Sequence, residues 1–276
     1  MIELNASPPQ GHSGLPGPAS AHRCTGAWLR RRSWLALLVG GPTAPWAAPE
    51  PGPRLRMGYF DRYPPLSQLT NANQMEGLLI DLVDAVGSVA GLRFSHHGFP
   101  WARAQGMVER GELDGLCTNA TPVRQVYATF CATPVVVATM GLFFRRDDDR
   151  PRQLNSVIDM RALRQGSYRG SGFAQQHLEP DRIAFDHDAE SVLRRIALGD
   201  LDIYVGDDLV TAPQIRRLGL AERLDYRPLS FLPASRYCWG VRRSFPDAEA
   251  LVQRMEAATQ QAQRQGVLKS ILKRYA

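Results

Sequence analysis

Beyond residue 53 the apolar positions follow two alternating spacings, one of about two residues and one of about 3.6. "RLRMGYF" (residues 54–60) reads as a short strand and is stopped by the turn-rich "DRYPPLSQLTNANQ". Leu78, Leu79, Leu82, Val83, Val86 and Val89 then recur at helical spacing, and Gly91 ends that helix. "LRFSHHG" returns as a strand. Trp101, Ala104, Met107 and Val108 mark a second helix closed by Gly111, and "LDGLCTN" is the next strand. This β-α-β-α-β order predicts an open, mostly parallel sheet, because right-handed crossovers place the helices on its faces. The apolar run over residues 135–144 is too long and uniform for a half-exposed strand, so it is expected to cross into a second lobe. After the charged turn "RRDDDRP" the pattern restarts. "MRALRQG" reads as strand, residues 170–178 as helix and "RIAFD" as strand; a helix carrying Val192, Leu193, Ile196 and Ala197 stops at Gly199 before the strand "LDIYVGD". "SRYCWGVRR" is expected to return to the first lobe, and two C-terminal helices follow, one with Leu251, Met255 and Ala258, the other with Leu268, Ile271, Leu272 and Tyr275. The predicted fold class is α/β in two lobes: residues 54–142 with 235–276 as lobe one, and residues 143–234 as lobe two.

One phrase is written twice: "GELDGLCTN" over residues 111–119 and "GDLDIYVGD" over residues 199–207. Each copy is a helix stop followed by a buried strand, one per lobe, and each ends on a polar group, Asn119 or Asp207. Gly-x-Leu-Asp after a helix is common punctuation in doubly wound folds. The terminal polar residues add more, because ligands of open parallel sheets bind outside the carboxyl ends of the strands. Two such ends facing a shared cleft would form a clamp.

The first 53 residues have a different character. Residues 1–27 are rich in Gly, Pro, Ser and Ala; then come Arg30, Arg31 and Arg32, an apolar run over residues 33–41, and "PTAPWAAPEP". A basic flank, a short apolar core and a small-residue exit predict a leader with a signal peptide over residues 1–48, too short to span a bilayer. "RRSWL" also fits a twin-arginine pattern, leaving both the Sec and twin-arginine routes to the periplasm open. The chain has 44% hydrophobic and 22% charged residues, the composition of a globular protein with a real core. Its net charge of +6 falls once the Arg-rich leader is set aside. The remaining basic residues are interspersed with acids and form no aromatic-basic stripe, which argues against a nucleic-acid partner. Past Cys24, the residues Cys117, Cys131 and Cys238 show no metal spacing, so neither a metal nor a cofactor is expected. They read either as one disulfide plus a thiol or as three buried thiols.

"NATPVR" places Asn119, Thr121 and Arg124 within one turn of a strand end. Arg124 is suited to a carboxylate, which its planar fork meets with two parallel bonds, although a surface Arg at a helix start reads the same way. Asp207 would either hold an ammonium or cap the following helix, with Asp208 as the fallback. Tyr63 lies in a loop stiffened by Pro64 and Pro65 and offers a stacking face. Gly166 and Ser167, at a strand-to-helix junction, offer backbone N–H groups and a hydroxyl to an anion. Trp101 would line the cleft or anchor its helix, and Arg103 reads as structural. Glu76 and Asp61 are loop charges or, for an enzyme, candidate general acids. His96 and His97 read as solvated at a strand end.

The segments "GYFDRYPPLS", "MEGLLIDL", "GELDG", "TPVRQVYATF", "LRQGS", "LGDLDIYVGD" and "RYCWGVRRSFPD" together resemble the periplasmic solute-binding proteins of polar amino acid ABC transporters, extracellular family 3. The likeness runs from about residue 54 to 275. It implies a two-lobed type II periplasmic binding fold without catalytic residues, a monomer that closes by a hinge on a small-molecule ligand for an ABC transporter permease. It further implies that Tyr63 stacks on the ligand, that Arg124 holds an α-carboxylate helped by Asn119, Thr121 and Ser167, and that Asp207 takes the α-amino group. Three departures bear on the ligand's side chain. "FCATPVV" stands where the family reads Phe-Ser-x-Pro-Tyr, Phe60 replaces a position often polar in binders of basic amino acids, and Leu79 stands where many members carry Asp. A cyclohexadienyl dehydratase-like enzyme and a ligand sensor are the alternatives on the same scaffold.

Overall fold

The protein is described from a computed structural model covering residues 54–275. The expected leader and signal peptide lie outside the described residues. The first strand, β1 (Leu55–Phe60), is buried along nearly its whole length, as a strand with neighbours on both sides must be. The turn-rich segment after it holds a small antiparallel sheet that its sequence did not announce: β2 (Arg62–Tyr63), β3 (Ser67–Leu69) and β4 (Met75–Glu76). Helix α1 (Leu78–Ala90) buries Leu78, Leu79, Leu82, Val83 and Val86 on one face and ends on Gly91 in the left-handed conformation. There follow β5 (Phe94–Phe99), α2 (Trp101–Glu109), β6 (Gly115–Asn119), α3 (Pro122–Tyr127), β7 (Ala128–Phe130) and β8 (Val136–Ala138).

The second lobe contains β9 (Met140–Arg145), β10 (Gln165–Tyr168), α4 (Gly172–His177), β11 (Ile183–Asp186), α5 (Ala189–Leu198), β12 (Ile203–Asp207), α6 (Asp208–Arg217) and β13 (Leu224–Pro228). The chain then returns through β14 (Ser235–Arg242), α7 (Ala248–Arg264) and α8 (Val267–Leu272). One sheet runs in the order β5-β1-β6-β14-β7, with β8 also paired to β14; the other runs β11-β10-β12-β9-β13. Each has a parallel trio, β5-β1-β6 or β11-β10-β12, flanked by antiparallel strands. The chain changes sheet at Thr139, so the break expected after residue 142 falls inside β9.

Three local expectations are corrected. The strand predicted over residues 160–166 begins instead at Gln165. It is preceded by a 3-10 turn, Asp159–Ala162, where the Asp159 carboxylate accepts from the N–H groups of Asn155 and Ser156 and Met160 is fully buried. His96 is not free in solvent: Nε2 lies 3.0 Å from Asp84 and Nδ1 lies 3.0 Å from the Tyr59 hydroxyl. Strand β13 carried no clear alternation and was missed. Cys117, Cys131 and Cys238 are buried free thiols.

The repeated phrase has a structural basis inside it as well as at its tip. Gly111 and Gly199 both take positive φ, 79° and 86°, which turns the chain from helix to strand. The Asp three residues on, Asp114 or Asp202, is buried and accepts from the backbone N–H, Nε and Nη2 of one arginine. That arginine, Arg56 or Arg164, sits at the start of the adjacent parallel strand. Each lobe thus staples its central strand to the neighbouring one with the same side-chain pair.

Candidate functional site

A cavity enclosing about 70 Å3 lies where the carboxyl ends of β6 and β12 face each other. Two charged side chains line it, Arg124 from the first lobe and Asp207 from the second. Arg124 sits on α3, whose start is set by Thr121 as N-cap, its hydroxyl accepting the Arg124 N–H at 3.4 Å, and by Pro122 in the first turn. The arginine is only 2% exposed. Its Nε donates to Gln105 at 2.8 Å. Nη1 donates to the Thr118 hydroxyl and the Asn119 carbonyl, and Nη2 to the Gly170 carbonyl of the opposite lobe at 3.1 Å. The guanidinium also lies over the Trp101 ring, 5.2 Å from its centroid. Among the described residues no carboxylate pairs with it. Burial pulls its pKa below the ordinary guanidinium value.

Asp207 ends β12 and precedes α6, but its side chain makes no capping bond. It turns to the first lobe, where the hydroxyls of Tyr63, at 3.1 Å, and Tyr237 donate to Oδ2, while Oδ1 is buried without a partner. No cation pairs with it among the described residues. Burial pushes its carboxyl above the usual carboxylate range, and the hydrogen bonds from Tyr237 and Tyr63 offset only part of that. Asn119 stands beside this end of the cavity. Its strand pairs Asn119 with Tyr237, its Nδ2 donates to Ser235, and its Oδ1 is a second buried acceptor without a partner. Phe60, Tyr63, Trp101 and Tyr168 form a continuous aromatic wall, with ring centroids 5.3–6.4 Å apart.

Of the residues singled out from sequence, Tyr63, Asn119, Arg124, Asp207 and Trp101 line the cavity. Thr121 stands behind it as the cap of α3. Gly166 and Ser167 are off the wall: the Cβ direction of Gly166 meets Val192 and Leu201 under α5, Ser167 is buried, and the next residue, Tyr168, reaches the cavity instead. Glu76 is exposed on the small sheet, bonded to Gln68, also away from the wall. Reading the sequence missed Gln105, which holds Arg124 and also donates to Gly170 at 3.1 Å, and it missed Tyr237 and Tyr168. Gln105 follows Trp101 by one helical turn, a spacing that placed it on the same face without marking it as more than a polar neighbour.

Two α/β lobes with a cavity between their strand ends, crossed by the chain near residue 139 and again over residues 229–234, define the two-lobed periplasmic binding protein fold. The chain belongs to the bacterial extracellular solute-binding proteins, family 3, which it matches over residues 55–276. Three solved structures share the architecture. A histidine kinase sensor domain with similarity to periplasmic binding proteins has TM-score 0.67 and 20% identity, over 80% of this chain and 95% of that one. An ancestral arginine-binding protein bound to arginine has TM-score 0.68 and 17% identity, over 80% and 97%. The arginine-, lysine-, histidine-binding protein ArtJ of Geobacillus stearothermophilus has TM-score 0.66 and 16% identity, over 81% and 95%. At these identities the likeness establishes the fold. No curated protein sequence matches the chain.

Proposed function

We propose that the protein is a non-catalytic, extracytoplasmic receptor that closes as a monomer on an amino acid or related zwitterion and delivers it to an ABC transporter permease. The leader read over residues 1–48 would carry it to the periplasm. One observation carries the reading: two buried, opposite and uncompensated charges, Arg124 and Asp207, face one cavity from different lobes. A buried charge without a partner is costly, and a ligand bringing a carboxylate to Arg124 and an ammonium to Asp207 would satisfy both at once. The partnerless oxygens of Asp207 and Asn119 fit the ammonium end, which donates three hydrogen bonds. Tyr63 supports this reading from the cavity wall, and Thr121 supports it by setting the helix that presents Arg124. Glu76 and Asp61, the acids considered for a dehydratase, are not on the cavity wall, which favours binding over catalysis.

The test is calorimetric titration of purified protein, unfolded and refolded to strip carried-over ligand. It is run against the α-amino acids and, for each that binds, its decarboxylated amine and deaminated acid. The amino acid should bind at least about 100-fold more tightly than either fragment, because each fragment leaves one buried charge unpaired. Arg124→Ala and Asp207→Ala should each abolish binding. A fragment that binds as well as the parent removes the clamp from contention.

A further inference from the structure

We infer that the site selects amino acids with neutral, apolar side chains and rejects basic and acidic ones; this rests on the zwitterion reading above. The two charged groups of the cavity wall, Arg124 and Asp207, are those assigned to the ligand's backbone, and among the described residues the wall holds no third charge for a charged side chain. Of the uncharged polar groups, the Asn119 Oδ1 is assigned to the ligand's ammonium, and most of the others are engaged with the protein itself. Ser67 donates to the Phe60 carbonyl at 2.8 Å, Thr118 accepts from Arg124, Ser171 caps α4, Tyr63 and Tyr237 donate to Asp207, and Ser235 accepts from Asn119. What remains for a side chain is mostly carbon: Phe60, Leu79, Phe173 and Val205, with the rings of Trp101 and Tyr168, each of which carries one polar atom.

Phe60 is central to that surface. Its ring contacts those of Tyr63, Trp101 and Tyr168, and it is 5% exposed. Leu79 lies at the start of α1, 3% exposed, and also faces the cavity. A ligand guanidinium, ammonium or carboxylate carried into this wall would lose its water and gain no counter-charge, whereas an apolar side chain loses nothing by the same transfer.

The experiment titrates the refolded wild-type protein with glycine, alanine, leucine, phenylalanine, glutamine, arginine, lysine, aspartate and glutamate. Leucine or phenylalanine should bind most tightly, and the four charged amino acids at least about 100-fold more weakly, the factor expected for an unpaired buried charge. Phe60→Ala should weaken the preferred apolar ligand at least about 10-fold more than it weakens alanine or glycine, because the ligand contact it removes is with the side chain. Tighter binding of arginine, lysine, aspartate, glutamate or glutamine overturns the selectivity and leaves the zwitterion clamp standing. Absence of binding by every amino acid overturns the clamp and the selectivity together.

Discussion

At Asp207 the fold keeps a carboxylate where its own packing gains little from one. The group is buried, receives two tyrosine hydroxyls and, among the described residues, no cation, and has a carboxyl raised above its ordinary value of 3.8, first by burial. A raised acid stabilises the folded state below its unfolded pKa, and that contribution is lost as pH rises through the folded value. At neutral pH the charge therefore weakens the empty protein. Asp207→Asn keeps the shape and an acceptor for both hydroxyls, and should leave the ligand-free protein as stable as wild type or more stable by about 1–3 kcal/mol at pH 7. In thermal melts this is a rise of up to roughly 10 °C, together with loss of the ligand-induced shift. A variant that melts well below wild type, or still responds to ligand, contradicts that account. Arg124 and Asp207 were legible in the sequence because a charged residue just past a buried strand is conspicuous and the fold places strand ends together. Tyr237, Tyr168 and Gln105 were not legible. Tyr237 reaches Asp207 through strand register with Asn119, and Gln105 acquires its second role only by meeting Gly170 across the cleft. Ser167 was misplaced by one residue, the smallest shift that sends a strand side chain to the other face.

Among the elements, the repeated Gly-x-Leu-Asp phrase shows where a sequence reading stops short. The glycines and the terminal polar groups were interpretable from punctuation and topology. The internal aspartates were not, because their partners Arg56 and Arg164 lie far off in sequence and come into register only when the parallel strands pair. Burial alone would raise the Asp202 carboxyl. The side-chain and backbone donors of Arg164, with the charges of Arg164 and Arg150, instead bring it to about 2. Asp114 is lowered in the same way by Arg56 and Arg242. A depressed acid gives stability that is present above the unfolded pKa and lost as pH falls through the folded one. The wild-type protein should therefore lose stability progressively as pH falls from about 4 to about 2. Asp202→Asn should be destabilised by about 1–3 kcal/mol at pH 7, a modest cost because the arginine is half exposed. Its melting temperature should also fall less steeply over the acid range. Denaturant melts of Asp114→Asn and Asp202→Asn at pH 7, 4 and 2.5 check both the magnitude and the slope; a variant as acid-sensitive as wild type would show that the staple does not govern this titration.

Across the whole molecule, one small residue bears directly on the proposed closure. Gly170 lies on the second lobe with φ of +85°, and its carbonyl accepts from both Arg124 and Gln105 of the first. A Cβ there would stand 2.5 Å from the Gln105 amide nitrogen and 3.1 Å from the Ala102 backbone nitrogen. Both contacts are between lobes, so they exist only when the lobes meet. Gly170→Ala thus carries two separable costs. Left-handed strain of about 1 kcal/mol falls on every folded conformation, whereas the clash falls on the closed one alone. A ligand that binds the closed state must overcome whatever penalises closure, and each 1.4 kcal/mol of it weakens binding about tenfold. The variant should therefore melt within a few degrees of wild type, bind its ligand at least about 10-fold more weakly, and show less ligand-induced compaction in small-angle scattering. Gln105→Ala removes the side chain that the new Cβ strikes, so the double variant should recover closure to the extent that the clash with Gln105, rather than the left-handed backbone, was the obstacle. Equal affinity in Gly170→Ala and wild type would mean that ligand is held without the lobes meeting at Gly170, and the proposed hinge closure would fail at that contact.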